Sequence, residues 1–198
     1  MLQQKNQNVI QRANERGVVA ARRHVSAKGQ RTLQRVFNAI EPELGGAAHL
    51  FNVKRIGVNI IGFSRFDQEH QDHGPPTKDV VAEVLSSQNF LRVGLGRIGV
   101  YGSETKAKLG ISLISDRLRY EEDDIEMVFE KMGFPLQPGP YRDDGFVPHV
   151  SIARLDINHL EYFLNPDTLR RMEIRAGVGT LATRSLTLDP IRAESMPS

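Results

Sequence analysis

Apolar segments that alternate with a period of two recur along this chain, separated by turns or by stretches of helical period. That interleaving restricts the fold more than any single motif. Residues 55–63 (Arg-Ile-Gly-Val-Asn-Ile-Ile-Gly-Phe), 90–101, 108–115 and 146–155 are rich in apolar and β-branched residues and predict strands, with Gly102 and Ser103 at the turn between the second and third. Between them, residues 7–41 carry broken apolar stripes that predict two helices, with Gly17 and Gly29 as interruptions. Thr77 suits the cap of a helix through Leu85, after a polar loop over 67–76. Residues 121–132 predict an amphipathic helix whose first-turn acids complement the helix dipole and whose buried stripe is Ile125, Val128, Phe129 and Met132. The proline- and glycine-rich stretch 135–145 reads as a surface loop. Residues 157–172 read as short helical pieces broken around Pro166, and 173–178 with 181–188 as a closing hairpin. The resulting layout is α+β: mixed or antiparallel sheets with helices packed outside.

A chain of 198 residues with 39% hydrophobic and 25% charged residues sustains one well-packed core. We expect that core in residues 47–198, preceded by a basic helical extension over 1–46. No apolar run approaches bilayer length, so no membrane span is expected. The N-terminal stretch Met-Leu-Gln-Gln-Lys-Asn-Gln lacks the pattern of a secretory signal, which makes the cytoplasm the expected location. With no cysteine, thiol catalysis, disulfides and thiolate metal sites are excluded.

Charge is distributed unevenly. Residues 1–35 hold eight basic residues against the single acid Glu15, a net +7, which leaves −5 for the rest of a chain whose total is +2. The adjacent Arg22 and Arg23 suit paired phosphate contacts. No aromatic residue interleaves them, so the stretch reads first as a solvated helical face.

The strand at 146–155 (Phe-Val-Pro-His-Val-Ser-Ile-Ala-Arg-Leu) carries the chemistry. Alternation puts His149, Ser151 and Ala153 on one face and Val150, Ile152 and Arg154 on the other. An imidazole beside a hydroxyl can exchange a proton and hold an anionic group, as phosphoryl chemistry at neutral pH requires. Residues 57–63 (Gly-Val-Asn-Ile-Ile-Gly-Phe) echo 149–155 (His-Val-Ser-Ile-Ala-Arg-Leu): Val58 falls on Val150 and Ile60 on Ile152, while Asn59 falls on Ser151 and Gly57 on His149. Two matched strands suggest two related lobes facing one cleft.

The 146–155 segment resembles the second His-x-Thr/Ser motif of the two-histidine (2H) phosphoesterase superfamily, and within it the 2′-5′ RNA ligase and RNA cyclic phosphodiesterase group. The resemblance covers about residues 50 to 190. It implies a two-lobed arrangement of sheets with outer helices around a central cleft. It also implies metal-independent chemistry with no cofactor, and an RNA or nucleotide partner bearing a 2′,3′-cyclic or 2′-5′ phosphodiester. By the same resemblance, His149 would transfer a proton and Ser151 would hold the phosphate. The first motif should fall at Gly57 and Asn59, where neither a histidine nor a hydroxyl stands. Asn59 can still hydrogen-bond a phosphate, and His49, His70 and His73 are the candidates for the second acid or base.

Other patterns compete. His24-Val25-Ser26 also fits His-x-Ser, but lies in a helical pattern and reads as coincidence. Residues 67–73 gather His70 and His73 with carboxylates, which raises a metal-dependent hydrolase as a third reading beside the phosphoesterase and a non-catalytic RNA- or nucleotide-binding module. Gly94-Leu-Gly-Arg-Ile-Gly99 matches a dinucleotide-binding spacing, but the strand pattern around it favours a bent strand over a phosphate loop.

Overall fold

The computed structural model describes residues 19–61, 89–131, 147–179 and 184–195. These residues form two antiparallel sheets with helices against them. The strands are β1 (Val19–His24), β2 (Ala48–Leu50), β3 (Gly57–Ile61), β4 (Leu91–Tyr101), β5 (Lys108–Ile114), β6 (His149–Leu155), β7 (Ser185–Leu188) and β8 (Arg192–Ser195). The helices are α1 (Ala27–Leu44), α2 (Asp116–Lys131), α3 (Leu160–Leu164) and α4 (Pro166–Ala176). One sheet has the order β3-β1-β8 and the other β2-β6-β5-β4-β7, and every pairing is antiparallel. The α+β class expected from the interleaved periods is the one observed.

The two sheets are joined where β1 ends. Val25 bridges to Leu188, Ser26 N–H donates to the Thr187 carbonyl at 2.9 Å, and Val25 N–H donates to the Ile56 carbonyl at 3.1 Å. Ser26 then caps α1, its hydroxyl accepting from Gly29 N–H at 3.2 Å. Leu33, Val36, Phe37, Ile40 and Leu44 form the buried stripe of α1 and belong to the same core as Leu95, Ile111, Val150 and Ile152.

Four sequence expectations are corrected. Among the described residues helical structure begins at Ala27, and residues 19–24 are instead the central strand of the smaller sheet; pairing with β3 on one side and β8 on the other overrides the helical preference of Ala-Ala-Arg-Arg. Val25 after this strand and Leu33, Val36, Phe37, Ile40 and Leu44 of α1 belong to the buried core. Gly29 does not interrupt α1. A Cβ there would lie 2.7 Å from the Thr187 carbonyl oxygen, so glycine lets the helix approach β7. Helix α2 starts at Asp116, which moves Glu121 from the first turn to a buried mid-helix position. Finally, residues 173–176 end α4 between a capping Asn165 with Pro166 at its start and a left-handed Gly177 at its close; β7 and β8 pair with β4 and β1, so the expected hairpin does not form. The expectations for 7–18, 62–88 and 132–146 lie outside the described residues.

Arg23 pins this arrangement. Its guanidinium makes a two-pronged ion pair with Glu121, Nε to Oε2 at 2.9 Å and Nη2 to Oε1 at 2.8 Å, and Nη1 donates to the Asn89 and Asp189 carbonyls. Both side chains are about 98–99% buried, so full hydrogen bonding is needed to offset desolvation. None of the described helices is long and apolar enough to cross a membrane.

Candidate active site

Strand β6 carries His149 and Ser151 half-buried on one face and Val150 and Ile152 fully buried on the other. The alternation then changes phase. Gly110 pairs with Ser151 but Leu109 with Ala153, a bulge that leaves Ile152 extra, buries Ala153 and turns Arg154 outward. The expectation that Ala153 shares the open face of His149, with Arg154 on the core face, is corrected by that bulge.

The His149 ring is held on two sides. Its Nδ1 lies 3.0 Å from the Val147 carbonyl oxygen; since a carbonyl only accepts, Nδ1 carries the proton and Nε2 keeps its lone pair in the neutral ring. Tyr101 stacks on the imidazole with ring centroids 4.0 Å apart and planes 8° apart. Gly110 makes room for this stack, because a Cβ there would lie 2.8 Å from Tyr101 Cδ2. Burial holds the His149 pKa below its ordinary value of 6.5, against the opposing hydrogen bond to Val147 and with help from the positive Lys108. The same enclosure raises the Tyr101 phenol.

Opposite stands β3. A cleft of about 420 Å³ is lined by Gly57 and Asn59 of β3 and by His149 and Ser151 of β6, so the two echoing strands, one in each sheet, face each other across it. Phe51 and Ile56 supply an apolar wall, and Arg22 of β1, Arg55 of the short 3-10 turn before β3, and Lys108 of β5 supply positive charge. Among the described residues, no carboxylate and no second imidazole lines the cleft.

Gly57 is tightly enclosed. A Cβ there would stand 2.6 Å from the Arg23 carbonyl oxygen and 2.7 Å from Arg22 Nε, because β1 runs close against β3 in a register that pairs His24 with Gly57. Arg22 therefore lies over Gly57, the position that the strand echo matches to His149, and its Nη2 donates to the Arg55 carbonyl at 3.1 Å. Arg22 and Arg23 are not a paired phosphate clamp on a helix: strand alternation sends one to the cleft and the other into the core.

The candidate second acids or bases separate. His49 is exposed on β2, in register with Arg154, and does not line the cleft. His70 and His73 lie outside the described residues. His24 ends β1 and Ser26 caps α1, so that His-x-Ser pair serves a strand-to-helix junction. Gly94–Gly99 lies within the bulged strand β4, as its strand pattern implied. Among the described residues, no cluster of three or more histidines and carboxylates is placed to hold a metal. Sequence reading missed Arg55, Lys108 and Tyr101. The detectable signal was cross-strand: Lys108 and Tyr101 are register partners on the β4–β5 hairpin leading to β6.

Chemically, the cleft offers a nitrogen base, a hydroxyl, an amide and three basic side chains. No family model matches the sequence, and no curated protein matches it. Among solved structures, the chain is similar to TT0787 of Thermus thermophilus, with 14% identity, 69% of this chain and 73% of that one covered, and a TM-score of 0.47. It is also similar to Kluyveromyces marxianus Usb1, with 12% identity, 86% and 97% coverage and a TM-score of 0.47. The structure of the same Usb1 with uridine monophosphate gives 12% identity, 88% and 99% coverage and a TM-score of 0.46.

Proposed function

We propose that this cleft binds and opens a phosphodiester of an RNA end or nucleotide, of the 2′,3′-cyclic or 2′-5′ kind, as a 2H phosphoesterase in which His149 is one proton-transfer group. The observation that carries the reading is the placement of His149, tautomer held by Val147, in one cleft with Ser151, Asn59 and the cations Arg22, Arg55 and Lys108. Ser151 and Asn59 would hold the phosphoryl oxygens from opposite sheets. Water attacks phosphorus while its proton passes to His149 Nε2, and the P–O bond to the leaving 2′ or 3′ oxygen breaks. A guanidinium does not give up its proton near neutral pH, so Arg22 stabilises charge on the leaving oxygen and solvent protonates it. Among the described residues no second imidazole or carboxylate lines the cleft, and a site that lacks its second proton-transfer group is slower by on the order of a hundredfold to ten-thousandfold.

A second reading, recognition without turnover, is favoured by the enclosure of Gly57: no side chain fits there without moving the Arg23 backbone. One experiment separates the two. Hydrolysis of 2′,3′-cyclic nucleotides and of short RNAs ending in a cyclic phosphate is followed with EDTA present, for wild type and His149→Ala. Chelator-resistant turnover lost in His149→Ala supports the enzyme; binding without turnover supports recognition; neither binding nor turnover rejects both. Activity abolished by EDTA would favour the metal-dependent alternative through His70 and His73.

A further inference from the structure

We propose that the outward face of α1, carrying Lys28, Arg31 and Arg35, is a second contact surface that binds the sugar-phosphate backbone of an RNA chain whose end occupies the cleft. The choice of RNA as the polyanion rests on the reading above. The basic surplus over residues 1–35 divides by structure: Arg23 enters the core, Arg22 turns to the cleft, and Lys28, Arg31 and Arg35 stand exposed on α1. At 3.6 residues per turn, positions 28, 31 and 35 fall within about 60° of one another. They lie opposite the buried stripe of Leu33, Val36, Phe37 and Ile40.

The stability of the helix does not account for these cations. Lys28 lies in the first turn, where the helix dipole favours acids, and α1 has no acid there and no base in its last turn. Arg31 and Arg35 are four residues apart, a spacing at which like charges repel. At the other end of the helix, Glu43 is balanced by Arg175 at 2.7 Å and Arg171 at 3.6 Å, both from α4. Among the described residues, no carboxylate engages Lys28, Arg31 or Arg35 in the same way.

The placement suits a chain that leaves the cleft. Val25 N–H, just before α1, donates to the carbonyl of Ile56, a residue of the cleft wall. The 3-10 turn that bears exposed Lys54 and cleft-lining Arg55 packs against α1. From Lys28 to Arg35 the helix rises about 10 Å, a length over which a nucleic-acid strand carries about three phosphates. The residues exposed beside the cations are Gln34 and Asn38. This face therefore offers bases no ring to stack on and offers a lipid surface no apolar anchor, which favours backbone contact without base preference over a membrane.

The test uses wild-type protein in EDTA, with adenosine 3′-monophosphate followed by calorimetry and a single-stranded RNA ending in a 3′-phosphate followed by fluorescence anisotropy. With an RNA of about twelve nucleotides at about 50 mM salt, the chain should bind at least roughly tenfold tighter than the mononucleotide. The triple variant Lys28→Gln, Arg31→Gln, Arg35→Gln should lose that advantage, and the slope of log affinity against log salt should flatten by about 2. Its affinity for the mononucleotide should be unchanged. A control triple, Arg97→Gln, Lys131→Gln, Arg170→Gln, removes the same charge from other exposed positions and should leave the RNA advantage in place. Glutamine is a good helix former, so urea unfolding should find the α1 variant at least as stable as wild type.

RNA affinity that survives the α1 changes, or that falls equally in the control, overturns this inference while the reading of the cleft stands. Equal affinity of wild type for RNA and mononucleotide does the same. A destabilised α1 variant would assign the cations to the helix itself and also overturn it. So would binding to phosphatidylserine vesicles that is lost in the α1 variant while its RNA affinity is kept. RNA held through α1 with no binding of the mononucleotide overturns the reading of the cleft and leaves this surface in place; failure of both ligands overturns both.

Discussion

Tyr101 lies flat against His149, its ring centroid 4.0 Å from that of the imidazole, and it reaches this position across the β4–β5 hairpin over the open space left by Gly110. The contact excludes water from one face of the ring and so joins the packing of the larger sheet to the protonation of the imidazole that lines the cleft.

Removing that contact should change chemistry more than folding. Tyr101→Ala exposes the His149 ring, so its pKa should rise towards 6.5, and turnover should fall by about tenfold as the ring loses its fixed orientation, the stack itself contributing roughly 0.5–1.5 kcal/mol. Tyr101→Phe keeps the stack and should leave both nearly unchanged. Histidine ring-proton NMR titrations of the three proteins make the comparison; an unmoved His149 in Tyr101→Ala would show that the stack does not tune it.

The pH dependence follows from the same burial. The folded-state pKa of His149 lies below 6.5, so the base is available above that depressed value and the rate should climb with pH through it and then level. Among the described residues no carboxylate and no second imidazole lines the cleft, so no descending limb from a catalytic acid is expected. A bell-shaped profile in steady-state kinetics would point to a second proton-transfer group.

Stability shares this sign. Because the unfolded chain binds a proton at His149 more readily than the folded one, its contribution is intact above 6.5 and is lost as pH falls through the folded value. Wild type should therefore lose more stability than His149→Phe between neutral and mildly acidic pH. Urea denaturation at both pH values reads the difference, and parallel losses would contradict it.

Breaking the Arg23–Glu121 pair should be severe. With exposures of 1% and 2%, removing either partner strands a buried charge, and Glu121→Ala should cost about 3–5 kcal/mol. The double change Arg23→Met with Glu121→Leu should cost less than Glu121→Ala alone, since neither charge remains. Denaturant unfolding of both variants checks the order, and a milder single variant would mean that water reaches the pair.

A histidine introduced at position 57 should not be accommodated. Gly57→His must seat a Cβ within 2.6 Å of the Arg23 carbonyl oxygen, a backbone atom, so the strain should cost about 1–3 kcal/mol or more and shift β1 away from β3. The variant should be less stable and no more active by thermal melting and cyclic-phosphate hydrolysis. A stable, faster variant would show that the strand pair opens readily.

Much of the fold around the candidate cleft was legible where the physics is local. Period-two apolar runs located β4, β5 and β6, and the echo between 57–63 and 149–155 anticipated two strands facing across a cleft, because alternation fixes which side chains share a face. Strand β1 was not legible. Val19 to His24 has no strand signature strong enough to outweigh its helix-forming neighbours, and its conformation depends on partners at 57–61 and 192–195, distant in sequence. Missing that strand also hid the separate destinations of Arg22 and Arg23. The bulge at Ile152 was equally hidden, because it arises from the register of β5 against β6.

The central claim is that His149 is a neutral base in a phosphate-binding cleft, and the most direct measurement is the pKa of its imidazole by NMR, in EDTA, without and with adenosine 3′-monophosphate. An anion beside the ring favours its charged form, so the account predicts a value below 6.5 in the unliganded protein that rises on saturation. A His149 titration that is the same with and without the nucleotide, over the range in which the nucleotide is bound, would place the phosphate elsewhere and contradict the account.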